Sequence, residues 1–483
     1  MALTELKELR KNVWQLEKTG EMTVPAVIYA DKPIINTLIE EEKSEWSSLR
    51  QLKNAAELPG LVERIVGLAD IHPGYGAPIG SLIASDLNEG VITFAFSGFD
   101  LNCGLNTIKT PLTLKEVEKR KESLAEALFQ KIPAGLGVKG KLSLSLQEID
   151  EVIVKGSKFV VDKGFGLKED LEFTEEKGRM AGAISENISV KAKQRQFKQV
   201  GTLGSGNHYL EVQVVEKVFD ETTAKAFGLS LGQILVSLHC GSRALGHQTG
   251  MDYLKILAEA TRKYGVKIKD KELVCAPINS VEGQKYFSAI KGATNTAFAN
   301  RQVLTHLTRE VLSKEMGLSE KEVSLLYGIG HNTAKIEEHE INGKKKKVLI
   351  QRKGSTRAFG PGRKELPEAY LNAGQPVLVG GSMGTSSYIL AGTELAMKET
   401  FGSAIHGAGR AMSRVKANKE WRGSDVITDL KKKGIVIKGH SLKGIAEEAP
   451  KAYKPIEEVV NVMDSTGIAR KVVEVRPLIS IKG

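Results

Sequence analysis

The apolar positions of the chain follow two rhythms. Helical spacing follows the capping box Thr113-x-x-Glu116 and runs to about residue 131, with Val117, Leu124 and Leu128 on one face. Ser145-x-x-Glu148 opens a shorter helix in the same way. Residues 179–197, 250–264, 281–316 and 388–400 also read as helical. Runs of β-branched and apolar residues predict strands at 91–96, 208–215, 233–239, 347–352, 376–379 and 472–476. Asn342-Gly343 predicts a hairpin, with Lys344 to Lys347 in its exposed turn. Helices and strands mix without a regular βαβ alternation, so the expected fold class is α+β, not a doubly wound sheet.

Glycine-rich segments often follow the strands: DIHPGYGAPIGS (70–81), GFDLNCG (98–104), GTLGSGNHYLE (201–211), HCGSRALGH (239–247), YGIGHN (327–332), RKGSTRAFGPG (352–362), VGGSMGTSS (379–387) and AIHGAGR (404–410). Glycine lets backbone amides approach phosphates closely. Loops of one character spread over 340 residues are hard to divide among domains. No linker, repeat or low-complexity tract divides them either, so residues 1–483 are expected to form one catalytic domain.

Composition narrows the class. Of the 483 residues 41% are hydrophobic and 26% charged, ample for a large core. No apolar run of transmembrane length occurs, and the first twenty residues carry no apolar signal segment. Three cysteines, Cys103, Cys240 and Cys275, are too few for a disulfide framework and point to a reducing, cytoplasmic setting. A net charge of +11 suits a polyanion such as RNA as well as it suits a merely soluble surface.

Chemistry concentrates in the glycine-rich loops. Asp100-x-x-Cys103 follows a strand, and His208, His239 and His331 stand at strand ends or in Gly/Asn loops. A thiolate, a carboxylate and three imidazoles make a transition-metal set, although any one alone reads as a packed or hydrogen-bonded side chain. Five donors exceed one tetrahedral ion with an open position; a bridging cysteine would let them hold two. His406 in AIHGAGR reads equally as a nucleophile on phosphorus, another metal ligand or a structural histidine. Arg410 beyond it suggests phosphate contact. Gly135-LGVK-Gly140-Lys141 resembles a P-loop, but Leu142 stands where Ser/Thr would bind magnesium, and a helix instead of a strand precedes it. The Lys-x-Asp-Gly motif of lysine nucleotidyltransferases is absent: the chain has no Asp-Gly pair.

Taken together, DIHPGYGAPIG, GFDLNCG, LGSGNHYLEV, HCGSRALGH, HN, RKGSTRAF, GSMGTSSY, HGAGR and VRPLISIKG resemble the RtcB family of RNA ligases, from about residue 25 to the C-terminus. The resemblance implies a GTP- and manganese-dependent ligase joining RNA 3′-phosphate or 2′,3′-cyclic phosphate ends to 5′-hydroxyl ends, as in tRNA splicing and RNA repair. It implies two manganese ions bridged by Cys103, one completed by Asp100 and His208, the other by His239 and His331. It implies that His406 accepts GMP and that the RNA end is then activated as RNA-ppG. The implied guanylate pocket comprises Asn207, His208, Tyr209, Leu210, Glu211, His331, Asn332, Gly380, Gly381, Ser382, Met383, Ser387, His406, Gly407, Ala408, Gly409 and Lys482. Glu211 and Lys482 suit guanine, which offers N1–H and N2–H₂ donors and an O6 acceptor. RNA such as cleaved tRNA halves is the implied partner, with an archease-type activator in many members. Cys240 beside His239 is expected to be a packing substitution. The competing readings are a two-metal phosphoesterase or nuclease, and a basic RNA-binding protein with a structural metal.

Overall fold

A computed structural model describes residues 6–44, 46–135 and 137–483. The first five residues of the expected signal-free N-terminus, and Leu136 of the P-loop-like stretch, lie outside the described residues. The architecture is α+β, built around a seven-stranded and an eight-stranded sheet. The seven-stranded sheet runs Leu6–Arg10, Val13–Leu16, Ala26–Tyr29, Leu61–His72, Ile79–Asp86, Lys344–Lys353 and Asn332–Ile341. The larger sheet runs Ser324–Gly330, Gly104–Thr113, Gln233–Cys240, Tyr209–Val218, Ala469–Lys482, Ser387–Gly392 and Pro376–Val379, with Val436–Gly439 added beside Ala469–Lys482. No helix among the described residues is long and apolar enough to cross a membrane.

The register of the larger sheet matters most for function. Gly330 pairs with Gly104, Gly104 with Cys240, His239 with Tyr209, and Tyr209 with Lys482. Five strands therefore begin or end along one row. The residues at or just beyond that row are His331, Cys103, His239, His208 and Lys482. Gly104 is required here because a Cβ would lie 1.9 Å from the Ile329 carbonyl oxygen.

Helix Val281–Met316 supports that row from behind. Ser280 caps its start, accepting from the Gly283 N–H, and Gly317 ends it in the left-handed conformation, as the sequence signals require. The helix is buried on nearly every face, so its polar residues act as braces. Arg301 donates to the carbonyls of Asn102 and Cys240 at 2.7 and 2.8 Å, and Asn300 Oδ1 accepts from Gly201 and Thr202.

Several expected elements differ. The helix expected to run to residue 131 breaks into Leu114–Glu118 and Lys121–Lys131. Residues 179–197 are helical mainly over Val190–Gln196, because Gly182 turns at positive φ and Asn295 holds the Met180 N–H. The helix expected from 250 begins at Arg243; its two early glycines hide the start from periodicity but let it pack against Ser242 and Phe94. Residues 388–400 divide into strand Ser387–Gly392 and helix Glu394–Glu399, with Thr393 as the cap between them. The strand expected at 91–96 stops at Thr93 and tightens into a 3₁₀ turn over Phe94–Phe96. Asn342-Gly343 does form the hairpin turn, but Lys344 to Lys347 are exposed residues of its second strand.

Candidate metal and nucleotide site

The row of strand ends faces the end of the other sheet across a cavity of about 380 Å³. Backbone hydrogen bonds lace its loops together. Cys103 accepts from the His331 N–H, Asn332 accepts from the Asn102 N–H, and His331 accepts from the Ser355 N–H. The Asn332 side chain joins the Asp100 carbonyl to the Gly354 N–H.

The five expected donors converge. Cys103 Sγ lies 3.3 Å from His208 Nε2 and 3.2 Å from His239 Nε2; His239 Nε2 lies 3.2 Å from His331 Nε2; His208 Nε2 lies 2.8 Å from Asp100 Oδ2. They form two triads, Asp100–Cys103–His208 and Cys103–His239–His331, sharing the cysteine. The Asn207 carbonyl, an acceptor only, faces His239 Nδ1 at 3.0 Å, so that nitrogen carries the proton and Nε2 presents its lone pair. Burial, with neighbouring histidines, pushes His239 and His331 well below the ordinary imidazole value, so both are neutral, as ligands must be. Burial, then the Asp100 carboxylate, pushes the Cys103 thiol well up. A cation between these donors is the natural means of holding the thiolate. Burial alone would raise Asp100, yet His208 and Arg243 hold it down at about 2. Five metal-type donors packed this closely, with one cysteine common to both triads, form a site that could hold metal ions.

His406 follows the short strand Ser403–Ile405 and reaches the same cavity, its ring 4.7 Å from that of His331. It stands outside both donor triads. Asp70 Oδ2 accepts from His406 Nδ1 at 2.7 Å and from the His406 backbone N–H at 3.1 Å. Asp70 is fully buried. Sequence reasoning gave Asp70 no role; the available signal was an acid-x-His pair, Asp70 and His72, leading into a glycine-rich turn. Gly409 permits the pairing, since it turns at positive φ and a Cβ there would lie 2.3 Å from the Asp70 carbonyl oxygen. Lys353 was missed too: it lines the cavity, donates to the Tyr75 and Ala77 carbonyls, and burial lowers it to about 7.

Most of the expected nucleotide pocket lines the cavity: Asn207, Tyr209, His331, Asn332, Gly380 to Met383, Gly407 to Gly409 and Lys482. Glu211 is buried on the Tyr209–Val218 strand, opposite Ser480 and two positions from the partner of Lys482. Burial lifts Glu211 to about 7, opposed by Lys482, Gln213 and Ser480. Burial lowers Lys482, whose ammonium donates to the Gly206 carbonyl at 3.3 Å. Ser387 acts one step back, its Oγ accepting from the Gly381 N–H. Leu210 does not present its side chain to the cavity; strand alternation turns it into the apolar core. Arg410 lines the cavity, but its donors are engaged by Glu448, Tyr453 and the Met412 and Glu447 carbonyls, which weakens the expectation of a phosphate contact. Cys240 is fully buried, its thiol against the Thr202 and Leu203 carbonyls, consistent with a packing role.

The family model described as tRNA-splicing ligase RtcB matches residues 51–483. The chain is 48% identical over 484 residues to the tRNA-splicing ligase RtcB of Thermococcus kodakarensis, covering 100% of this chain and 99% of that protein. It is 46% identical over 482 residues to the protein of the same name from Archaeoglobus fulgidus, covering 99% of each. It is 45% identical over 464 residues to that of Methanococcus maripaludis, covering 96% and 95%.

Proposed function

Because the chain belongs to the RtcB family of tRNA-splicing ligases and is an RNA ligase, we propose that it seals RNA through a guanylated His406. Family membership sets aside the phosphoesterase and the non-enzymatic RNA-binding protein. The observation that carries the proposal is the Asp70–His406 pair. With Nδ1 committed to the carboxylate, Nε2 is left as the nucleophilic nitrogen, beside five metal-type donors but outside their triads.

In this reading His406 Nε2 attacks the α-phosphorus of GTP, forming a P–N bond as pyrophosphate leaves. The RNA 3′-phosphate, produced by water from any 2′,3′-cyclic phosphate, attacks that phosphorus and breaks the P–N bond. The 5′-hydroxyl oxygen then attacks the terminal RNA phosphorus of the ppG end, and GMP leaves. Asp100, Cys103 and His208 would hold one manganese ion and Cys103, His239 and His331 the other; bound there, the metals would neutralise charge developing on the phosphoryl oxygens. Glu211 and Lys482 would read the guanine edge, and the Gly380–Met383 and Gly407–Gly409 backbones would contact the nucleotide. Site contributions spread from Asp70 to Lys482 support reading residues 1–483 as one catalytic unit; its proposed setting is the cytoplasm and its proposed substrate is cleaved RNA such as tRNA halves. An archease-type partner would assist the guanylation step.

The test is incubation with α-labelled GTP and manganese. The expected adduct carries α but not γ label, is labile to acid and stable to alkali, and is absent from His406→Ala. That variant still seals RNA bearing a ready-made 3′-ppG end. Label retained by His406→Ala, or mapped to another residue, overturns the assignment.

A further inference from the structure

A chain of aromatic rings leads out of the catalytic cavity. Tyr75 and Phe99 line its wall and are half-buried, while His247 is exposed. Phe99 stacks on His247 with centroids 5.5 Å apart and planes 29° apart, and meets Tyr75 edge-on at 5.7 Å. Fully buried Phe94 packs edge-on beneath both Tyr75 and Phe99, at 5.8 and 4.7 Å. The platform is held rigid from two sides. Gly250 on the neighbouring helix brings that backbone close to Phe94, and Glu272 accepts from the Gly76 N–H at 2.7 Å, fixing the turn beside Tyr75.

Phe99 directly precedes Asp100, so the platform begins at the metal-type donors and ends in solvent. Part of each of the three rings stays accessible, so apolar ring surface meets whatever enters. Single-stranded RNA ends are bound through such faces, because every base offers a π-surface. The charge nearby separates base from backbone. Glu272 and Asp270 lie close enough to raise the Tyr75 hydroxyl, although burial is the larger cause. Two carboxylates oppose a phosphate there but not a neutral ring.

We propose that Tyr75, Phe99 and His247 form a stacking subsite for the nucleobase adjoining a reacting RNA terminus. The inference rests on the RNA-ligase reading, but on neither GTP nor His406. The subsite holds the terminal nucleotide by its base so that the phosphate or hydroxyl end reaches the cavity, and it accepts any base.

The test measures RNA affinity in the metal-loaded, GTP-free protein, using oligonucleotides that carry either a base or an abasic ribose at the end. One arm places the abasic unit at a 3′-phosphate end, the other at a 5′-hydroxyl end, so the arms tell which terminus uses the platform. In the unaltered protein, base removal at that end should weaken binding roughly 5- to 150-fold. In Phe99→Leu, which keeps apolar volume but loses the ring, and in His247→Ala, whose side chain is exposed, the abasic penalty should shrink severalfold. An equal penalty in all three proteins overturns the inference and leaves the rings as core packing. Variants that bind both RNAs normally but need more GTP for guanylation also overturn it, by assigning the platform to guanine. Failure of the histidine-guanylate scheme would leave these affinities unchanged, so the two readings fail separately.

Discussion

Replacing Asp70 tests whether the carboxylate acts in catalysis or only in folding. Its Oδ2 accepts two hydrogen bonds from His406, one at 2.7 Å from the ring and one at 3.1 Å from the backbone. A charge-assisted hydrogen bond contributes about 1.5–3 kcal/mol, against about 1 kcal/mol for a neutral one. Asp70→Asn can keep an acceptor but loses the charge. A difference of roughly 1–2 kcal/mol, expressed wholly in the transition state for attack on GTP, slows guanylation about 5- to 30-fold. Asp70→Ala removes both bonds. The proton is then free to sit on either ring nitrogen and the ring can turn away from the cavity. The expected loss is on the order of 10²- to 10⁴-fold, the range associated with losing a positioned acid–base partner. The assay is single-turnover guanylation with α-labelled GTP, with bound metal measured on the same samples. The metal control is needed because His331 lies against His406, and a disturbed loop could release ions. Sealing of a pre-activated 3′-ppG end should survive in both variants. Guanylation by Asp70→Ala at the unaltered rate, with metal retained, would refute the reasoning.

In the proposed scheme Glu211 accepts from guanine, and burial sets that carboxyl at about 7, above its ordinary 4.5. The ionised form is therefore present above pH 7 and lost as pH falls through 7, so the KM for GTP should rise roughly tenfold from pH 8 to 6. Glu211→Gln should flatten that profile and narrow the preference for GTP over ATP; an unchanged profile excludes Glu211 as the acceptor. Cys103→Ser should release metal from both positions and abolish ligation. Cys275→Ser, in the buried strand Cys275–Pro277, should keep metal and activity at a stability cost of about 1–2 kcal/mol. Two full metal equivalents in the Cys103 variant would exclude a bridging thiolate. RNA affinity should fall steeply as salt rises, through counterion release from a +11 chain; affinity flat between low and moderate salt would make that charge a solubility feature.

Local signals were legible where the chain carried its own stop and start. Ser280 and Gly317 bound the long helix at the predicted residues, and strand Pro376–Val379 matched its apolar run. Periodicity failed where neighbours decided. Ser387–Gly392 could be helix or strand by composition, and became a strand because Ala469–Lys482 offers it a hydrogen-bonding edge. Residues 179–187 have helical spacing but are held irregular by the buried Asn295 side chain of another helix.

The donor types and their loops were in the sequence by themselves: a thiol, a carboxylate and histidines at strand ends, amid glycines that only a close backbone approach requires. Sequence could not supply their convergence. Cys103, His208, His239 and His331 are separated by up to 228 positions and meet because antiparallel register aligns the ends of adjacent strands in one row. The same limit hid Asp70, which reaches His406 across 336 positions and from a different sheet. A side chain's chemistry is a property of its residue. Which nitrogen of His406 holds the proton, whether Glu211 titrates near neutrality, and whether Arg410 has a donor to spare depend on burial and on partners, and only the folded chain provides those.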